Sequence, residues 1–197
     1  MIIPSRREHY VLLLNQYIYM DKLLHEVFLD SIKIFLKEDI NNILSDVNER
    51  NLCARLACYL EHVAKEHGIN GYYADAEYNR NQGKVKTILE EGMEVVTINC
   101  DVILHSRGAI LKQDNLIAIE MKKSNRTQEE KDSDRKRLRA LTKDSYDDVW
   151  SFDGTALPEH VCGYIFGYYI ELNSRSRTCL FEQYQKGVKI SGWTIRF

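Results

Sequence analysis

The segment from Asn99 to Ser124, NCDVILHSRGAILKQDNLIAIEMKKS, constrains the fold more tightly than any other. It contains two strand-like runs, Val95 to His105 and Asn115 to Lys122, joined through the turn-forming Ser106-Arg107-Gly108 and a short polar connection. Leu116-Ile117-Ala118-Ile119 is apolar at every position, as a strand covered on both faces should be. The run then ends in Glu120-Met121-Lys122. Side chains alternate along a strand, so Glu120 and Lys122 should share one face while Met121 enters the opposite layer. Charges placed there are costly without partners, a route to solvent or a chemical task. Asp101 interrupts the preceding apolar run as a second acid that is expected to be buried or half-buried.

The 197 residues suffice for about one domain with a full hydrophobic core. A net charge of −2 carries no global basic signature, so any nucleic-acid surface must be local. The five cysteines are odd in number and form no CxxC pair, which argues against zinc and for a reducing compartment. No stretch reaches the roughly 20 apolar residues needed to span a bilayer, and the polar-interrupted N-terminus lacks a signal-peptide cleavage site. The expected location is cytoplasmic, with no membrane association.

Residues 7–37 read as helix, with Tyr10, Leu13, Leu14, Tyr17, Leu24, Val27, Phe28 and Leu36 forming an apolar stripe suited to burial. A stronger helix opens around Ser45 to Arg50 and stops at Gly68, with Leu52, Cys53, Leu56, Ala57, Leu60, Val63 and Ala64 within a narrow arc. Glu49 falls near the middle of that arc. Asp46-x-x-Glu49 also matches a capping box, which gives Glu49 a structural alternative at the helix N-terminus. Tyr72 to Asn79 reads as a strand with Asp75 and Glu77 on one face, and residues 84–92 as a loop or short helix. His105 reads as a structural histidine. Residues 127–143 read as a helix carrying Arg135, Lys136, Arg137, Arg139 and Lys143, the most basic stretch of the chain. Tyr146 to Glu159 reads as a loop, and Val161 to Ile170 as a central strand whose Gly163 and Gly167 admit a closely packed helix. The stretch 178–197 fits either helix or strand.

These carboxylates fit a defined chemistry. Phosphodiester hydrolysis needs a nucleophilic water, neutralised phosphoryl oxygens and help for the leaving group, which hard divalent cations on oxygen ligands supply. Asp101 and Glu120 would be carboxylate ligands of Mg2+ (or Mn2+ in its place), with the Met121 carbonyl as a third. Glu49 would bind a second ion or orient the attacking water. Lys122 would position or help deprotonate that water and stabilise developing charge.

The ordered set Glu49, Asp101 and Glu120-Met121-Lys122 resembles the PD-(D/E)XK phosphodiesterase superfamily. The phrases ERNLCARLACYLE, AEYNRN, CDVILHSRG, NLIAIEMKKS and DRKRLRALT resemble a group of small uncharacterised bacterial members. The match runs from about Asp46 to Tyr169, and Cys100 stands where the superfamily's eponymous proline would be. The resemblance implies an α/β fold, with a restriction-endonuclease-like core in which helices flank a central mixed sheet. Residues 1–44 would form an N-terminal helical extension packed on that core, and residues 45–197 the nuclease-like domain. It also implies an Mg2+-dependent endonuclease acting on DNA (RNA being the variant substrate), with Glu49, Asp101, Glu120 and Lys122 catalytic and Lys123, Arg137 and Arg139 contacting phosphate. Cutting both strands of a duplex would favour a homodimer. Members that only bind or scaffold provide the alternative, a non-catalytic nucleic-acid-binding module on the same fold.

Overall fold

The computed structural model describes the backbone of residues 6–78, 80–81, 84–85, 87–89, 95–97, 100–143 and 163–197, and the side chains of 18–78, 100–143 and 163–197. In chain order the elements are α1 (Arg6–Glu38), α2 (Ile40–Leu44), α3 (Glu49–Glu66), β1 (Tyr73–Ala76), β2 (Arg80–Asn81), β3 (Lys84–Val85), β4 (Thr87–Leu89), β5 (Val95–Thr97), β6 (Val102–His105), β7 (Asn115–Lys123), α4 (Gln128–Leu141), β8 (Phe166–Asn173), β9 (Thr178–Gln185) and β10 (Val188–Arg196). Among the described residues a six-stranded sheet has the order β1-β6-β7-β8-β9-β10. It is mixed: β7 and β8 run parallel and every other neighbouring pair is antiparallel. The chain is therefore α/β, a mixed sheet between α1–α3 on one face and α4 on the other.

The α1 side is the larger core. Leu24, Val27, Phe28, Ile32 and Phe35 recur at helical spacing and are buried against the even-numbered residues of β8 and the apolar stripe of α3. All seven apolar α3 positions expected from the periodicity are buried. Phe28 stacks on Tyr168 with ring centroids 3.6 Å apart and meets Phe181 edge-on. Asp39, buried at the α1–α2 break, accepts hydrogen bonds from Asn42, Arg55 and Tyr59 and ties that corner to α3. Its burial would raise its pKa, but the bonds from Tyr59 and Arg55 outweigh this and hold it below the usual carboxylate value.

Several local expectations change. The run Val95 to His105 is two strands: β5 pairs with β4 in a separate ribbon, and β6 begins only at Val102. Asp101 thus sits at a bend just before β6, where its carbonyl accepts the Glu77 N–H. The stretch read as a loop or short helix after Gly83 contains strands β3 and β4. Glu77 lies past the end of β1 at φ 53°, so it does not share a face with Asp75. Asp75 pairs with His105 and Arg107, and Glu77 with Arg50. The stretch 178–197, whose pattern fits either helix or strand, forms strands β9 and β10. The loop expected over Tyr146 to Glu159 lies outside the described residues.

Gly167 does admit a helix. A Cβ there would meet Thr142 Cγ2 at 3.0 Å and Leu138 Cδ2 at 3.2 Å, both at the C-terminal end of α4. Gly163 lies outside β8 at φ 72°, and no described atom stands within 4 Å of a Cβ built there, so its backbone conformation and not helix packing calls for glycine. Thr142 cannot rotate away freely, because its hydroxyl donates to the Leu138 carbonyl and accepts from the Gly187 N–H. Gly167→Ala is therefore expected to cost about 1–2 kcal/mol, the usual penalty of overpacking, read as a lower urea midpoint with an unchanged slope.

Candidate metal centre

The site is built where β6, β7 and α4 meet. The antiparallel register pairs Val102 with Ile119, so the bend at Asp101 lies beside Glu120. The Met121 N–H donates to Asp101 Oδ2 at 2.8 Å, fixing that carboxylate against the strand. Met121 is buried in the α1–α3 core, which leaves Glu120 and Lys122 facing α4, as the alternation requires.

Helix α4 covers this face with charge. A capping box at Thr127 and Glu130 starts it, and Lys131, Asp134, Leu138 and Leu141 form its buried stripe. Asp134 lies over the strand pair. One oxygen from each of Asp101, Glu120 and Asp134 can be chosen so that all three lie within 4.8 Å of one another. Two cations sit among them. Lys122 Nζ is 2.8 Å from Asp134 Oδ2 and 3.7 Å from Asp101 Oδ2. Arg137 Nε donates to Glu120 Oε1 at 2.8 Å, while its Nη2 donates to Asp134 Oδ1.

Glu120 is wholly buried, and its second oxygen, Oε2, accepts no hydrogen bond from the described residues. Burial first and the charge of Asp101 second push its carboxyl well above the ordinary value, more strongly than Arg137 pulls it down. Burial likewise raises Asp134 despite its pairing with Lys122. Burial alone would lower Lys122, but the carboxylates of Asp101 and Asp134 overcome it and raise its pKa, so it is an ammonium at neutral pH. A buried, partly unpaired carboxylate beside two others is a donor set suited to a hard divalent cation, whose oxygen ligands stand about 2.0–2.6 Å away.

Glu49 is placed differently. It is the first residue of α3, but Asn48 caps the helix by accepting the Arg50 N–H, and Asp46 lies in the left-handed region at φ 60°. The Asp46-x-x-Glu49 capping box does not form. Instead Glu49 reaches across to the turn between β7 and α4, accepting the Lys123 N–H at 2.9 Å and both sides of the Arg126 guanidinium at 2.9 and 3.0 Å. Burial would raise its carboxyl, but Arg126 and the Lys123 amide more than offset this and lower it. It is not among the three clustered carboxylates. Its charge and those of Asp101, Glu120 and Lys122 are all felt by Cys53, whose thiol burial chiefly keeps protonated.

The expected phosphate-contacting residues have internal partners. Lys123 pairs with Asp46 at 2.7 Å, Arg137 is held by Glu120 and Asp134, and Arg139 lies over the Tyr184 ring. Lys131 and Arg135 reach down to Glu171 and Glu182 of β8 and β9. His105 is buried against Asp75 Oδ2 at 3.0 Å and the Tyr78 ring. Asp134 escaped the sequence reading, although its spacing to Leu138 and Leu141 places it on the inward stripe. No family model, curated protein or solved structure matches the chain.

The ionic seat of α4 has a pH signature. Burial would raise Glu182, but Lys189, Tyr184 and Arg135 lower it to about 2. Its contribution is therefore fully present above its unfolded value near 4.5 and is lost as pH falls through about 2. Glu182→Gln is expected to remove about 3 kcal/mol of acid-sensitive stability, flattening the loss between pH 5 and 2 in urea titrations.

Proposed function

We propose that this chain is a metal-dependent nuclease that hydrolyses DNA phosphodiester bonds, on a restriction-endonuclease-like version of its α/β fold. The observation that carries this reading is Glu120: a fully buried carboxylate with one oxygen that no described residue pairs, beside Asp101, Asp134 and the Lys122 ammonium. Asp101 and Glu120 would hold Mg2+, or Mn2+ in its place, with Asp134 as a further carboxylate. The ion would supply Lewis acidity toward the phosphoryl oxygens and make water acidic enough to attack.

The protein's own groups do the rest. The Met121 amide fixes Asp101, and the pleat of β7 aims Glu120 and Lys122 together. Lys122 positions the water or helps to deprotonate it, and stabilises negative charge that builds on the phosphoryl group. Glu49 and Arg126 hold the strand-to-helix turn next to the site. Arg137, on the face of α4 that meets Glu120, is a second basic side chain at the centre and would face phosphate.

The same ion pairs also support a second reading, a non-catalytic binding or scaffolding module, because the carboxylates already have internal cations. Cleavage of single- and double-stranded DNA and of RNA with Mg2+ or Mn2+ separates the two. Glu120→Ala and Lys122→Ala are each expected to lower the rate at least about 100-fold, with circular dichroism confirming the fold. No cleavage of any substrate by the wild type, together with no heat of metal binding, would overturn the nuclease reading and favour the second.

A further inference from the structure

Asp101, Glu120 and Asp134, when ionised, bring three negative charges to a pocket that holds two positive ones, Lys122 and Arg137. The neighbouring pairs Lys131–Glu171 and Glu49–Arg126 balance internally and do not change that count. A divalent cation added to this set would overshoot to net positive. A divalent cation exchanged for one of the two side-chain cations brings the pocket to neutrality.

The contacts identify which side chain leaves. Asp134 Oδ1 accepts from Arg137, and Oδ2, which accepts no hydrogen bond from the described residues, stands 2.8 Å from the Lys122 ammonium, so an ion arriving at Asp134 competes with one of these two cations. Lys122 has a second anchor in Asp101 and the less exposed side chain of the two. Arg137 bridges Glu120 and Asp134, two of the three carboxylates an ion would take, and its side chain is partly open to solvent. Glu120 Oε2, buried and with neither a hydrogen bond nor an ion pair from the described residues, is open to an arriving ion without displacing a side chain.

We propose that Arg137 is the site's resident counter-cation and is exchanged for the divalent metal, its guanidinium moving from Glu120 and Asp134 to face the phosphate of the nucleic acid. The proposal rests on the reading of this pocket as a metal centre and gives one residue two successive partners. In the metal-free protein Arg137 neutralises buried acid and keeps α4 seated. In the loaded protein it is a positioning residue for substrate. A guanidinium suits both tasks, since its planar fork matches carboxylate and phosphate oxygens alike.

Calorimetric titration of the full chain with Mg2+ and with Mn2+ tests the exchange without reference to activity. Removing the competing charge should make Arg137→Gln bind metal at least about tenfold more tightly than wild type, while Arg137→Lys, which keeps the charge, stays near wild type. Arg137→Gln should also melt lower than wild type without metal and gain more in melting temperature when metal is added. Equal or weaker binding by Arg137→Gln overturns the exchange and leaves the metal centre standing. Binding by neither protein overturns the metal centre itself, and with it this proposal. Should Arg137→Gln fail to fold, wild-type protein still decides. The Arg137 Nε–H, identified by its absence in Arg137→Lys, should lose hydrogen-exchange protection when Mg2+ is added, and retained protection overturns the proposal.

Discussion

The burial of Glu120 is the constraint on which the arrangement around it depends. A carboxylate with no exposed surface, in a strand covered on both sides, demands positive charge from the layer above it. The sheet supplies Lys122 from the same strand, and α4 supplies Arg137 and, with it, another acid. Because an ion pair in such surroundings gains little over an apolar contact, the cluster adds little to stability. Its cost is carried by the opposite face, where α1, α3 and the sheet share a continuous apolar core.

Helix α4 is seated in two different ways along its length. Toward its C-terminal end Leu138, Ala140 and Leu141 pack with Tyr164, Tyr169 and Tyr184, and the missing side chain at Gly167 lets the helix approach the sheet. Toward its N-terminal end the contacts are ionic: Lys131 to Glu171, Asp134 to Lys122, Arg135 to Glu182 and Arg137 to Glu120. Apolar contact sets the height of the helix above the sheet, and directional charge pairs set its register.

Local pattern made much of this legible. The seven-residue stripe of α3 and the alternation Glu120–Met121–Lys122 follow from periodicities of 3.6 and 2, which burial enforces strongly. The mixed sheet with flanking helices was implied by the resemblance to a known superfamily, and its order β1-β6-β7-β8-β9-β10 came only from the structure. Asp134 was hidden because the basic residues around it made the helix read as a solvated surface, whereas several of those charges point inward. Glu49 was legible as an unusual acid but not in its destination. A reach from the start of α3 to Arg126 crosses 77 positions, and no local rule encodes it. The break between β5 and β6 was missed for the opposite reason: an apolar stretch looks continuous even where the chain leaves one sheet for another.

The parallel pairing of β7 with β8 has a consequence for the order in which the molecule assembles. Strands β8, β9 and β10 follow one another through short turns and can zip together locally. Glu120, by contrast, meets its neighbour Tyr169 only after the intervening segment, α4 included, has been closed into a crossover. Loop-closure entropy makes that a late event. The same crossover carries α4, so the pairing of β7 with β8 and the seating of Arg137 on Glu120 are coupled through one chain segment.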